Sequence, residues 1–130
     1  MIGLDTTFII DFLRGERKAV ALGQFPPSDG FCVTPINVYE VYLGIERSKA
    51  PSLEAKRGAD VFFNGTHILP LTMEAAQQAA SISSTLIKEG NEIQATEALI
   101  AATFLIHGCP CVLTLDKDFE RIPGLQVQFY

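Results

Sequence analysis

Short apolar runs alternate along the chain with longer stretches whose apolar positions recur three and four residues apart, and turn residues separate the two. Ile2-Gly3-Leu4 predicts a short buried strand, after which Thr6 or Thr7 can cap a helix running to about Arg14-Gly15. Arg17 to Gly23 predicts a second short helix, and Gln24 to Gly30, rich in turn formers, predicts a loop. Phe31-Cys32-Val33 is the next strand. Thr34-Pro35 then starts a helix, with the capping hydroxyl first and proline at the first helical position, and it extends to about Arg47. Ser48 to Ser52 breaks the pattern before a helix that continues through about Phe63. Asn64-Gly65 turns the chain into a strand at His67-Ile68-Leu69, and Thr72 caps a long helix to Glu89, closed by Gly90-Asn91. A nearly all-apolar helix from about Ala95 to His107 ends at Gly108. Val112 to Leu115 is a strand, Lys117 to Arg121 a turn of helix, and Leu125 to Phe129, beyond Pro123-Gly124, a last strand.

Strands alternating with helices imply a mostly parallel sheet covered on both faces, and right-handed crossovers limit the topology to a doubly wound α/β layout. The 130 residues fit one domain, and no repeat, low-complexity tract or linker divides them. With 48% hydrophobic residues, the chain can bury a core without disulfides or a structural metal. No apolar run reaches the roughly 18 residues of a membrane span. Met1-Ile2-Gly3-Leu4-Asp5 has neither the basic region nor the cleavage site of a signal peptide, so a cytoplasmic protein is expected. Cys32, Cys109 and Cys111 form no CxxC pair and read as packed thiols; with only His67 and His107 to assist, no zinc site is expected.

The chemistry is in the acids. Sites in open parallel sheets form outside the carboxyl ends of the strands. Asp5 directly follows the first strand and Asp116 follows Val112 to Leu115 in the same way. Helices that run antiparallel to the strands start at that same edge, which brings in Glu40, early in the Thr34-Pro35 helix, and Glu97, in the first turn of the Ala95 helix. Asp118 lies beside them. At helical spacing Glu97 shares a face with Ile93, Ile100, Ala101 and Phe104, and Glu40 shares one with Ile36 and Leu43. A carboxylate on an apolar face is costly unless paired, protonated or bound to metal, and no lysine or arginine lies within one turn of either glutamate. Hard divalent cations such as Mg²⁺ or Mn²⁺ take such oxygen ligands, and the chemistry that suits them is metal-assisted phosphodiester hydrolysis.

A net charge of −5 ordinarily argues against a nucleic-acid partner. Setting aside five of the fifteen acids for one cluster leaves ten negative and ten positive charges, so the acidity would be local. Arg14, Arg17, Lys18, Arg47, Lys49 and Lys117 are candidates to hold phosphates, although solvated surface charge explains any one of them as well. Asp5 could equally be a helix cap, Glu97 a first-turn acid favoured by the helix dipole, and Asp116 and Asp118 turn formers. Thr7 and Thr114 could orient a ligand or water, or simply cap and pack. A receiver domain or a haloacid-dehalogenase-type phosphatase is disfavoured, since each needs a second acid near Asp5 where Thr6-Thr7 stands, and no P-loop or GxGxxG occurs.

Leu4-Asp5-Thr6-Thr7-Phe8-Ile9-Ile10-Asp11, Asn37-Val38-Tyr39-Glu40-Val41-Tyr42-Leu43-Gly44, Glu97-Ala98-Leu99-Ile100-Ala101-Ala102-Thr103 and Leu113-Thr114-Leu115-Asp116-Lys117-Asp118-Phe119 resemble, in order and spacing, the motifs of PIN-domain proteins. The size is similar to that of the VapC-type toxins of prokaryotic toxin–antitoxin pairs. The resemblance implies a PIN-like three-layer α/β/α sandwich around a mostly parallel twisted sheet, and a Mg²⁺- or Mn²⁺-dependent endoribonuclease. It also implies that Asp5, Glu40, Glu97 and Asp116 form the metal site with a contribution from Asp118. A small antitoxin covering the groove, an RNA substrate and a homodimer are further implied. One position departs from the pattern: the family's third acid is usually aspartate in D-x-L-I-A-A, and here it is Glu97. Glu92, just before that helix, is a candidate substitute. Two other readings stay open: an RNA-binding module that has lost hydrolysis, and an RNA-maturation nuclease with no antitoxin.

Overall fold

The computed structural model describes residues 1–50 and 52–130, and the chain order of its elements follows the hydrophobic pattern closely. They are β1 (Ile2–Leu4), α1 (Thr6–Leu13), α2 (Arg17–Gly23), β2 (Phe31–Val33), α3 (Pro35–Arg47), α4 (Leu53–Asn64), β3 (His67–Ile68), α5 (Met73–Lys88), α6 (Ala95–Ile106), β4 (Cys111–Thr114), a 3-10 helix (Lys117–Arg121) and β5 (Gln126–Phe129). Part of the predicted break at Ser48 to Ser52 falls on Pro51, outside the described residues. Capping chemistry sets most helix starts. Thr34, Ser52 and Thr72 each accept a backbone N–H of the first turn of α3, α4 and α5. At the start of α1 Asp5, not Thr6 or Thr7, is the cap, and its carboxylate accepts the Thr6 N–H at 2.7 Å. The ionised side chain is the stronger acceptor, and it lies one residue earlier.

The five strands are ordered β3-β2-β1-β4-β5, and every pairing is parallel. From β1 the chain first builds outward through β2 and β3, then returns to the other side of β1 for β4 and β5. The order therefore reverses between β1 and β4, and a crevice opens at their carboxyl ends. Alternation along the strands divides the core in two. Leu4, Val33 and Leu113 point to one face, where α1, α2, α3 and α4 cover them with Phe8, Ile9, Ala19, Val41, Ala59 and Phe63. Cys32 and Val112 point to the other, against Leu86 of α5 and Ile100, Ala101 and Phe104 of α6. Helices on both faces of a parallel sheet make the three-layer α/β/α architecture. Among the described residues no helix is long and apolar enough to cross a membrane.

One contact in the second core sets how close α6 comes to the sheet. A Cβ placed on Gly3 would lie 2.5–2.7 Å from ring carbons of Phe104, which is itself fully buried. The ring has no flexible end to swing away, so a methyl group there must push α6 off β1. Gly3→Ala is expected to destabilise the protein by about 1–3 kcal/mol, measured by urea denaturation. An unchanged midpoint would mean that the α6–β1 packing is loose.

Candidate active site

Asp5, Glu40, Glu97, Asp116 and Asp118 are held by the carboxyl ends of β1 and β4 and by the starts of α3, α6 and the 3-10 helix. One carboxylate oxygen each from Glu97, Asp116 and Asp118 lies within 4.8 Å of the others, close enough to share one ion, and all three side chains are half-buried. Asp5, only 6% exposed, and the half-buried Glu40 sit on the same rim, tied in through hydroxyls. Thr114 Oγ1 donates to Asp5 Oδ2 at 2.7 Å, and Thr6 Oγ1 donates to Glu40 Oε1 at 2.7 Å. Glu92 is exposed and stays outside the cluster, meeting Arg121 only through its backbone oxygen.

Local backbone geometry aims these acids. Asp116 Oδ1 accepts the Asp118 N–H at 2.9 Å, which fixes the turn into the 3-10 helix. Glu97 Oε2 accepts the Gln94 N–H at 3.2 Å, so the third residue of α6 reaches back to its own helix start. The capping and turn-forming roles foreseen for Asp5, Glu97 and Asp116 are thus real, and they coexist with convergence. One oxygen of each accepts a backbone N–H.

The cluster has little compensating charge. Arg121 Nη1 stands 3.3 Å from Asp118 Oδ1, and it is the one basic side chain paired with these acids among the described residues. Arg14, Arg17, Lys18, Arg47, Lys49 and Lys117 are all exposed. Burial pushes the Asp5 carboxyl up to about 6; bonds from Thr114 and the Thr6 N–H oppose this, and repulsion from Asp116 and Glu40 adds to it. Glu97 is pushed up to about 8, first by burial, then by its hydrogen bond with Asp116 when protonated and by repulsion from Asp116 and Asp118. The Gln94 N–H opposes the rise. At neutral pH the metal-free cluster retains protons that a divalent cation would displace. The donor set is oxygen only, which fits a hard cation and not zinc.

A buried polar group escaped the sequence reading. Asn37 is completely buried on α3, one turn before Glu40, and its amide nitrogen donates to Thr6 Oγ1 at 3.1 Å. The signal was present in its spacing: Asn37 is three residues after the Thr34 cap and three before Glu40, on the face turned to the acids. The groups not assigned to catalysis have other roles. His107 caps the end of α6 and hydrogen-bonds Pro70 O at 2.9 Å, and His67 belongs to β3. Cys32 and Cys109 are buried free thiols and Cys111 is half-buried.

Comparison with known proteins identifies what the chain is similar to. A family model for the PIN domain matches residues 2–125. Ribonuclease VapC of Rickettsia bellii is 34% identical over 129 residues, covering 95% of this chain and 92% of the relative. A tRNA(fMet)-specific endonuclease VapC of Salmonella typhimurium is 27% identical, covering 96% of this chain and 94% of that one. Among solved structures, VapBC2 from Rickettsia felis bound to a promoter DNA fragment contains a chain that superimposes with a TM-score of 0.83 at 19% identity, covering 100% and 99% of the two chains.

Proposed function

The chain belongs to the PIN-domain family, and on that premise we propose that it is a metal-dependent endoribonuclease, the toxin of a VapBC-type toxin–antitoxin pair. The observation that carries the reading is the convergence of Glu97, Asp116 and Asp118 on one rim with Asp5 and Glu40 beside them. Asp5, Glu40, Glu97 and Asp116 carry the chemistry, and with Asp118 they hold one or more Mg²⁺ or Mn²⁺ ions. When bound, the ion supplies Lewis-acid chemistry: it acidifies water and offsets charge developing on the phosphodiester. The protein's part is positioning. Asp5 and Glu40 each have one oxygen held by a threonine hydroxyl, so neither carboxylate is free to rotate away from the crevice. Arg121, balancing Asp118 at the rim, is placed to meet a phosphate oxygen of the substrate.

Glu97 in place of aspartate is compatible with this chemistry. A carboxylate oxygen of Glu97 still lies within 4.8 Å of those of Asp116 and Asp118, and its Oε2 accepts the Gln94 N–H. That supports hydrolysis over an RNA-binding module that has lost it. The Rickettsia felis structure is a VapBC complex, and this chain's partner is proposed to be a small antitoxin that covers the acidic crevice.

Purified protein incubated with total RNA and Mn²⁺ is expected to cut it, EDTA to stop the reaction, and Asp5→Asn to remove it. Glu97→Ala should weaken Mn²⁺ binding in calorimetry. Cleavage that survives both EDTA and Asp5→Asn would reject the acidic site as its source.

A further inference from the structure

We propose that Asn37 is a positioning residue for this site: its side-chain amide fixes the direction of the Thr6 hydroxyl proton and thereby holds Glu40 toward the crevice. The proposal rests on Glu40 belonging to the site as read above. Asn37 itself touches none of the acids.

The assignment follows from which atoms can only donate. The Thr34 backbone N–H lies 2.8 Å from Asn37 Oδ1, and a backbone N–H cannot accept, so the amide oxygen must face it. Thr34 Oγ1 adds a second contact to the same oxygen at 2.9 Å. The amide nitrogen is thereby turned the other way, where Thr6 Oγ1 stands at 3.1 Å. That nitrogen is also a donor only, so the Thr6 oxygen accepts and its single proton is left over. Glu40 Oε1, at 2.7 Å, takes it. The result is a one-directional chain, Thr34 to Asn37 to Thr6 to Glu40, anchored at its far end on a main-chain group. Every member between Thr34 and Glu40 comes from a helix start, α1 or α3, that is fixed by the core.

The same logic operates across the crevice. The Asp116 N–H donates to Thr114 Oγ1 at 2.9 Å, which commits the Thr114 proton to Asp5 Oδ2. There a backbone N–H sets the hydroxyl directly. On the Glu40 side no main-chain donor among the described residues bonds Thr6 Oγ1, and the buried amide of Asn37 performs that task.

Asn37 also helps to cap α3, and the two roles use different atoms. Its oxygen serves the helix start and its nitrogen serves Thr6. Asn37→Asp keeps the oxygen and removes the donor, so it separates them. With Mn²⁺ and RNA, kcat for Asn37→Asp is expected to fall by about tenfold or more with KM little changed, and Mn²⁺ affinity by calorimetry to fall by about the same factor. Thr6→Val, which leaves the α3 cap untouched, should show the same pair of losses, and Thr6→Ser should restore most of both. This second pair decides the matter if Asn37→Asp fails to fold. Wild-type kcat and Mn²⁺ affinity in Thr6→Val, or a Thr6→Ser no better than Thr6→Val, would overturn the proposal. A wild-type protein that neither binds Mn²⁺ nor cuts RNA would instead reject the site reading, and the positioning role with it.

Discussion

Replacing Asp116 with asparagine is expected to cut RNA hydrolysis by at least about a hundredfold and to make the metal-free protein more stable. Both effects come from one carboxylate. Asp116 is the acid whose repulsion is felt by Asp5 and by Glu97. It is also one of the three whose oxygens converge within 4.8 Å. On the proposed site, removing its charge withdraws a ligand from an ion whose charge stabilisation would be worth several kcal/mol in the transition state, and about 2.7 kcal/mol is already a hundredfold. The asparagine oxygen can still accept the Asp118 N–H, so the turn into the 3-10 helix is retained. Relief of like-charge repulsion should then raise the melting temperature in EDTA by a few degrees, roughly the gain seen when a strained functional site is neutralised. A variant that loses both activity and stability would show that Asp116 is chiefly a structural turn residue.

The metal-free protein should also lose stability as the pH rises from about 4 to about 8, opposite to the trend of a protein held by ordinary salt bridges. In the unfolded chain Asp5 and Glu97 ionise near their ordinary values of 3.8 and 4.5, whereas the folded protein keeps their protons until about pH 6 and about pH 8. Between those limits the native state binds more protons than the unfolded one, so raising the pH favours unfolding. The stabilisation is complete below about pH 4 and is lost as the pH passes first through the Asp5 value and then through that of Glu97. For the buried Asp5 alone the loss is about 3 kcal/mol, or about 10 °C in the melting temperature of a chain this size. Mn²⁺ should restore most at the alkaline end, because it binds the ionised carboxylates and releases their protons. Melting curves in EDTA and in Mn²⁺ across this range measure it. A flat or rising profile in EDTA would mean that the acids are ionised and tolerated without a counter-charge.

How much of this was legible in the sequence depends on range. Turn residues and caps act over a few positions, so Thr34-Pro35, Thr72 and Gly108 marked their helix ends within a residue or two. The two-sided sheet followed from apolar strands alternating with helices. The placement of acids at strand ends and helix starts follows from parallel topology, and the motif order added the identity of the set. What did not follow was how the acids are held. Thr114 read equally well as strand packing, yet its hydroxyl donates to a residue 109 positions away. Asn37 drew no attention because a buried amide is recognised only by its partners, and Thr6 is 31 residues distant. The cap of α1 was left open among Asp5, Thr6 and Thr7, and the structure gives it to Asp5.

Asp5 stands at the beginning of the chain and Asp116 near its end, and β1 can receive β4 only after nearly everything between them has been made. During synthesis β1 therefore leaves the ribosome long before the strand that pairs with it at the proposed site. On the proposed site, a fragment lacking β4 is expected to cut nothing. For a nuclease whose targets surround it during its own translation, late assembly gives an inhibitor time to arrive.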